Sequence, residues 1–142
     1  MDDSNRKINT VVYIDSFNLY YGFLKNRRIG YKWLNLNSWL CSVFPSSNIL
    51  KIKFFTARVS DKFNPSKPVR QDIYLRALKT LPNVEIIQGN FITKTTKIHI
   101  NPDVMLSAKV FEEKGTDVNL GVHLVHDAHL KKFETAVVIS ND

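Results

Sequence analysis

At 142 residues with 44% hydrophobic side chains, the chain can bury one core as a single domain, 1–142, without disulfides or structural metals. Its one cysteine, Cys41, excludes an intrachain disulfide and fits a reducing compartment. No apolar run approaches the roughly 20 residues that cross a bilayer, and the polar, acidic start is unlike a signal peptide, so a cytoplasmic protein without a membrane segment is expected. Twenty Lys and Arg against 13 Asp and Glu, a net charge of +7, favour polyanionic partners through phosphate neutralisation, although a solvated lysine surface produces the same count.

After a polar leader, Asn9 to Asp15 carries Val11, Val12, Tyr13 and Ile14 without alternation, the pattern of a central parallel strand covered on both faces. A helix should follow at once, with Ser16 as cap and Phe17, Tyr20, Tyr21 and Leu24 at helical spacing. A second helix is predicted from about Leu36 to Phe44, capped by Asn35, with Trp39, Leu40 and Val43 on its apolar face and Pro45 as its stop. Ile49 to Val59 reads as the second strand, and Ser60 to Lys67 as a polar loop.

Pro68 suits the first turn of a third helix, about Val69 to Thr80, with Ile73, Leu75, Leu78 and Leu81 inward. Val84 to Gly89 is the third strand; Asn90 to Ile100 continues as extended chain, either a hairpin arm or a loop. From Asp117 to His129 the spacing is helical, with Leu120, Gly121, Leu124, Val125 and Ala128 inward, Asn119, His123 and His126 outward, and Asp117 within the apolar stripe. Thr135 to Ser140 is the fourth strand. Strands alternating with helices imply an α/β fold, a three-layer Rossmann-like arrangement around a mainly parallel sheet.

In such a sheet ligands bind beyond the carboxyl ends of the strands. Asp15 and Asp142 should emerge there, and Asp117 should enter from the helix before the last strand. Converging carboxylates repel one another unless a cation neutralises them, and oxygen-only ligands point to Mg²⁺ or Mn²⁺. Each acid also has a plainer explanation: Asp15 and Asp117 could cap helices, and Asp142 is the last residue. His123 and His126 lack a third ligand with zinc spacing, and no Gly-rich phosphate loop or nucleophile elbow occurs.

Three stretches together resemble the NYN domain, a branch of the PIN-like nuclease superfamily: Tyr13 to Tyr21, Lys114 to Val118 with Leu120 and Val122, and Val137 to Asp142. The resemblance implies a metal-dependent endoribonuclease, typically acting on RNA, single-stranded by expectation. It implies that Asp15, Asp117 and Asp142 bind Mg²⁺ or Mn²⁺, that Asn18 accompanies Asp15, and that Arg58 contacts phosphate at the end of the second strand. Arg70, Lys114 and Tyr20 are further candidate RNA contacts. Ser16 replaces the family's usual glycine, and a C-terminal helix and strand usual in the family are not found before residue 142. Rival expectations are a non-catalytic RNA-binding or regulatory module with this fold, and a homo-oligomeric or partner-binding scaffold built on the segment around Trp33, Trp39 and Phe44.

Overall fold

The computed structural model describes residues 6–26, 29–59, 65–101 and 104–141. Strand β1 (Ile8–Asp15) is buried from Thr10 onward, as its unbroken apolar run requires, because it lies between two parallel neighbours. The helix after it, α1 (Ser16–Asn18), widens into a π-helical segment, Leu19–Leu24. Lys25 N–H donates to Tyr20 C=O at 2.7 Å, an i→i+5 bond, and the wider turn brings Leu19 and Leu24 inward together. Tyr20 and Tyr21, expected on the apolar face with Leu24, stay exposed instead.

A 3₁₀ turn, Ile29–Trp33, leads to α2 (Leu36–Val43), where the Asn35 side chain caps by accepting from Ser38 N–H at 3.1 Å. Leu36 and Leu40, four apart, are fully buried, whereas Val43 faces solvent. Strand β2 (Ser47–Ala57) precedes α3 (Ser66–Lys79), whose first turn holds Pro68 as expected. Helix α3 buries Leu75 and Leu78, but Ile73 is exposed, and Tyr74 turns inward in its place to donate to Leu34 C=O at 2.8 Å. Burial pushes the Tyr74 phenol up to about 12.

Strand β3 (Val84–Asn101) pairs with β2 only as far as Gly89; from Asn90 it pairs with antiparallel β4 (Val104–Lys114). The doubtful stretch is therefore a hairpin arm, and β4 is a strand that the apolar pattern did not reveal. Helix α4 (Thr116–His129) and strand β5 (Thr135–Ile139) follow. The sheet order is β4-β3-β2-β1-β5, with β3, β2, β1 and β5 parallel.

Alternation along the strands sorts the core into two layers. Val12, Ile14, Ile52 and Phe54 pack with the leucines of the π-helical segment, α2 and α3, while Val11, Tyr13 and Phe55 pack with Leu120 of α4 on the other face. The chain winds outward from β1 through β2 and β3 and then crosses under α4 to β5 on the far side of β1. The junction of β1 and β5 is thus the topological switch point, where open α/β sheets bind ligands.

Candidate functional site

Asp15 ends β1 at that junction and is 4% exposed. One carboxylate oxygen, Oδ1, accepts from the backbone N–H groups of Phe17 at 2.9 Å and Asn18 at 3.0 Å, so Asp15, rather than Ser16, caps α1. Its Oδ2 accepts from Asn18 Nδ2 at 3.2 Å, and the same amide nitrogen donates to Ser140 Oγ at 2.9 Å, tying the ends of β1 and β5 together. Just beyond Ser140, the Asn141 side chain lies against the π-helical turn, about 3.5 Å from where a Cβ on Gly22 would sit, an ordinary van der Waals contact.

Asp117 reaches the same place from α4. Gly115 precedes that helix with φ of 96°, a left-handed conformation natural to glycine, and turns the chain from the end of β4 into its first turn. Asp117 is exposed rather than buried in an apolar stripe, yet its carboxyl is near enough to Asp15 to act on it. Burial, the largest cause, raises the Asp15 pKa; the Asp117 hydrogen bond and charge push the same way, against the bonds from the Asn18 and Phe17 N–H groups. A carboxyl whose pKa is raised in this way is a candidate for moving a proton at the strand ends.

The donor set fits a hard divalent ion in kind, since Asp15 and Asp117 offer only oxygen. Beside them the Thr116 hydroxyl is buried without a hydrogen-bond partner among the described residues. No group of three His, Cys, Asp or Glu residues gathers among the described residues, and Asp142, the expected third acid, lies outside them. Arg58 is exposed just after β2, Arg70 is exposed on α3 with Nε donating to Ser66 C=O at 3.3 Å, and Lys114 ends β4 opposite Asn90. Tyr20 is 36% exposed, with its ring edge-on to Tyr21 at 5.1 Å. The site thus brings together Asp15, Asn18 and Asp117. Trp39 and Phe44 pack against the core, leaving Trp33 as the exposed member of the segment considered for oligomerisation.

A second polar cluster, which no sequence motif marks, lies under α4. Asp127, 1% exposed, forms a buried ion pair with Lys53 Nζ, accepts from Tyr13 OH at 2.9 Å and takes Lys132 Nζ at 3.0 Å. These partners hold its carboxyl far below the usual carboxylate range in spite of burial. Burial and the Asp127 bond push the Tyr13 phenol far above its ordinary value. The expected stripe on α4 is accordingly rotated: His123 faces the sheet, its ring 5.5 Å from that of Phe55, whereas Val125 and Ala128 are exposed. Lys53 is the reason, because an ammonium inside an apolar strand needs a facing carboxylate.

No protein-family model matches the chain, and no solved structure matches it. Among curated proteins it is similar to 6-hydroxy-3-succinoylpyridine 3-monooxygenase HspA of Pseudomonas putida (strain DSM 28022 / S16), with 31% identity over 166 aligned residues. The alignment covers 95% of this chain and 52% of that protein, so the chain spans about half the length of the curated relative it matches. The relative is an enzyme, and its name is that of an oxidoreductase. That finding corrects the expectation of a metal-dependent endoribonuclease, together with the RNA-binding alternative: the motifs that suggested a nuclease occur in a chain whose relative is named for oxygen insertion. No helix among the described residues is long and apolar enough to cross a membrane.

Proposed function

We propose that this chain is an enzyme domain of monooxygenase type, acting on a hydroxylated nitrogen heteroaromatic. The observation that carries the proposal is its similarity, across 95% of its length, to a protein named for oxygenation of a hydroxypyridine. A monooxygenase places one atom of O₂ in its substrate and reduces the other to water with two electrons from a reductant. The protein's part is to bind and orient the ring and to manage its protons.

The Asp15 and Asp117 pair suits that part. Burial and the neighbouring Asp117 raise the Asp15 pKa, so once ionised it is a stronger base than an ordinary carboxylate. Removing the proton from a ring hydroxyl raises electron density on the ring carbons and makes them better nucleophiles toward an electrophilic oxygen. Asn18, held by both Asp15 and Ser140, fixes the carboxyl in place while the proton moves. Asp15 and Asp117 would be the residues to hold a divalent cation, which would supply Lewis-acid chemistry there.

The test is oxygen uptake with ¹⁸O₂, using 6-hydroxy-3-succinoylpyridine, a reduced nicotinamide nucleotide and, in parallel, Mn²⁺, Mg²⁺ or a chelator. Substrate-stimulated uptake with one labelled atom per product is expected, and Asp15→Asn should lower it by about 10²–10⁴-fold, the usual worth of a general acid or base. Uptake indifferent to substrate, or a labelled product formed equally well by the variant, would overturn the proposal.

A further inference from the structure

A cleft of about 500 Å³ opens beneath α4 toward the amino-terminal half of the strands. That volume is within the range of about 300–1,000 Å³ in which small organic ligands sit. The cleft is separate from the Asp15 cluster. Val11 on its wall and Asp15 are four residues apart on β1, roughly 13 Å at a rise of about 3.3 Å per residue. The packed layer of Tyr13, Phe55 and Leu120 lies between them.

The walls are unevenly charged. Lys51, Lys53 and Lys132 face two carboxylates, Glu85 and Asp127, an excess of one positive charge before either histidine is counted. Asp127 is largely committed, since Lys53 and Tyr13 donate to one of its oxygens and Lys132 to the other. Lys53 gives one N–H to Asp127 and another to His123 Nδ1 at 3.1 Å. An ammonium only donates, so Nδ1 is the acceptor and the ring proton of His123 sits on Nε2, a second available donor. Lys51 is half-buried and has no acceptor among the described residues. Val11 and Leu50 supply an apolar wall beside these donors.

We propose that this cleft binds a small organic monocarboxylate, its carboxylate held by Lys51 and by the remaining N–H groups of Lys53 and His123, and its carbon skeleton lying on Val11 and Leu50. One negative charge matches the excess of one positive charge. Phosphate fits less well: a second negative charge would face Glu85, and the apolar wall would go unused. The proposal stands apart from the oxygenase reading, because none of Asp15, Asn18 and Asp117 lines the cleft.

Isothermal titration of the full chain in low-chloride buffer tests it, with nicotinate and benzoate as monocarboxylates, nicotinamide as the neutral analogue of nicotinate, and inorganic phosphate as the competing anion. Saturable binding of a monocarboxylate, one per chain, is expected, with nicotinamide and phosphate at least tenfold weaker. Lys51→Met should weaken the carboxylate at least tenfold with an unchanged circular dichroism spectrum, and Lys51→Gln does the same if the methionine variant fails to fold. Asp15→Asn should leave the affinity unaltered. Absence of saturable binding, equal binding of nicotinamide, tighter binding of phosphate, an affinity unmoved by the Lys51 variants, or loss of binding in Asp15→Asn would each overturn it.

Discussion

Two aspartates buried on the same face of the sheet, at opposite ends of α4, have opposite electrostatics. Asp127 is surrounded by Lys53, Lys132 and Tyr13 and stays ionised; Asp15 has a second carboxyl and backbone N–H groups for company, and its proton is retained more tightly than usual. Burial acts in the same direction on both, so the difference lies in the partners. One arrangement contributes to holding α4 on the sheet. The other raises the proton affinity of a carboxyl where the strands end, at some cost to the folded state when that carboxyl is ionised.

The largest expected effect separates the two directly. Asp127→Ala should lose about 3–5 kcal/mol in urea unfolding, because it leaves Lys53 buried and unpaired. Replacing Lys53 by Met and Asp127 by Leu together should recover most of that loss, and a double variant no better than the single one would show that the pair does more than neutralise itself.

Asp15→Asn should act with the opposite sign while keeping a capping oxygen. The folded protein binds the Asp15 proton more tightly than the unfolded chain does, so its penalty is absent below the usual value of 3.8 and grows as pH rises through the raised folded value. The variant should therefore gain urea midpoint relative to the parent between pH 4 and 7. Asp127, with a depressed folded value, contributes stability that is present above 3.8 and lost as acid titrates it below that. Parallel unfolding curves for the two variants across this range would erase the contrast.

Smaller effects test the supports of each site. Gly115→Ala forces a Cβ into φ of 96° and should lose roughly 1–2 kcal/mol, with the Asp117 turn displaced and the Asp15 titration, followed by carbon NMR, moved toward its ordinary value. At the other end Lys131 has φ of 53° in the turn that returns Lys132 to Asp127, and Lys131→Gly should gain up to about 1 kcal/mol without altering Asp127.

Much of this architecture was legible locally. The run from Val11 to Ile14 could only be a doubly covered strand, Asn35 announced α2, and Asp15 with Asn18 marked the strand-end site because a carboxylate closing an apolar strand is conspicuous. Strand β4 was not legible, since its place is set by antiparallel pairing with β3, which hydrophobic patterning does not encode. The phase of α4 departs from its hydrophobic pattern for a related reason. Helical spacing weighed Val125 and Ala128 by hydrophobicity alone, whereas the sheet beneath offers Lys53 and the Tyr13 hydroxyl. The signal was nonetheless present: a lysine inside the strand around Phe54 and Phe55, together with Asp127 seven residues beyond Leu120. The nuclease expectation failed differently, because acid spacing identifies a place for chemistry and leaves the chemistry open.

The bond from Asn18 to Ser140 spans 122 residues of chain. During synthesis β1 therefore leaves the ribosome with one of its edges unpaired and waits until Thr135–Ile139 has been made before β5 closes it. Long-range parallel pairing of this kind is slow, so the Asp15 cluster should be assembled late, after the β1–β2–β3 sheet has formed. Until then Asn18 lacks its Ser140 contact, and the nascent protein carries an open edge rather than a finished pocket.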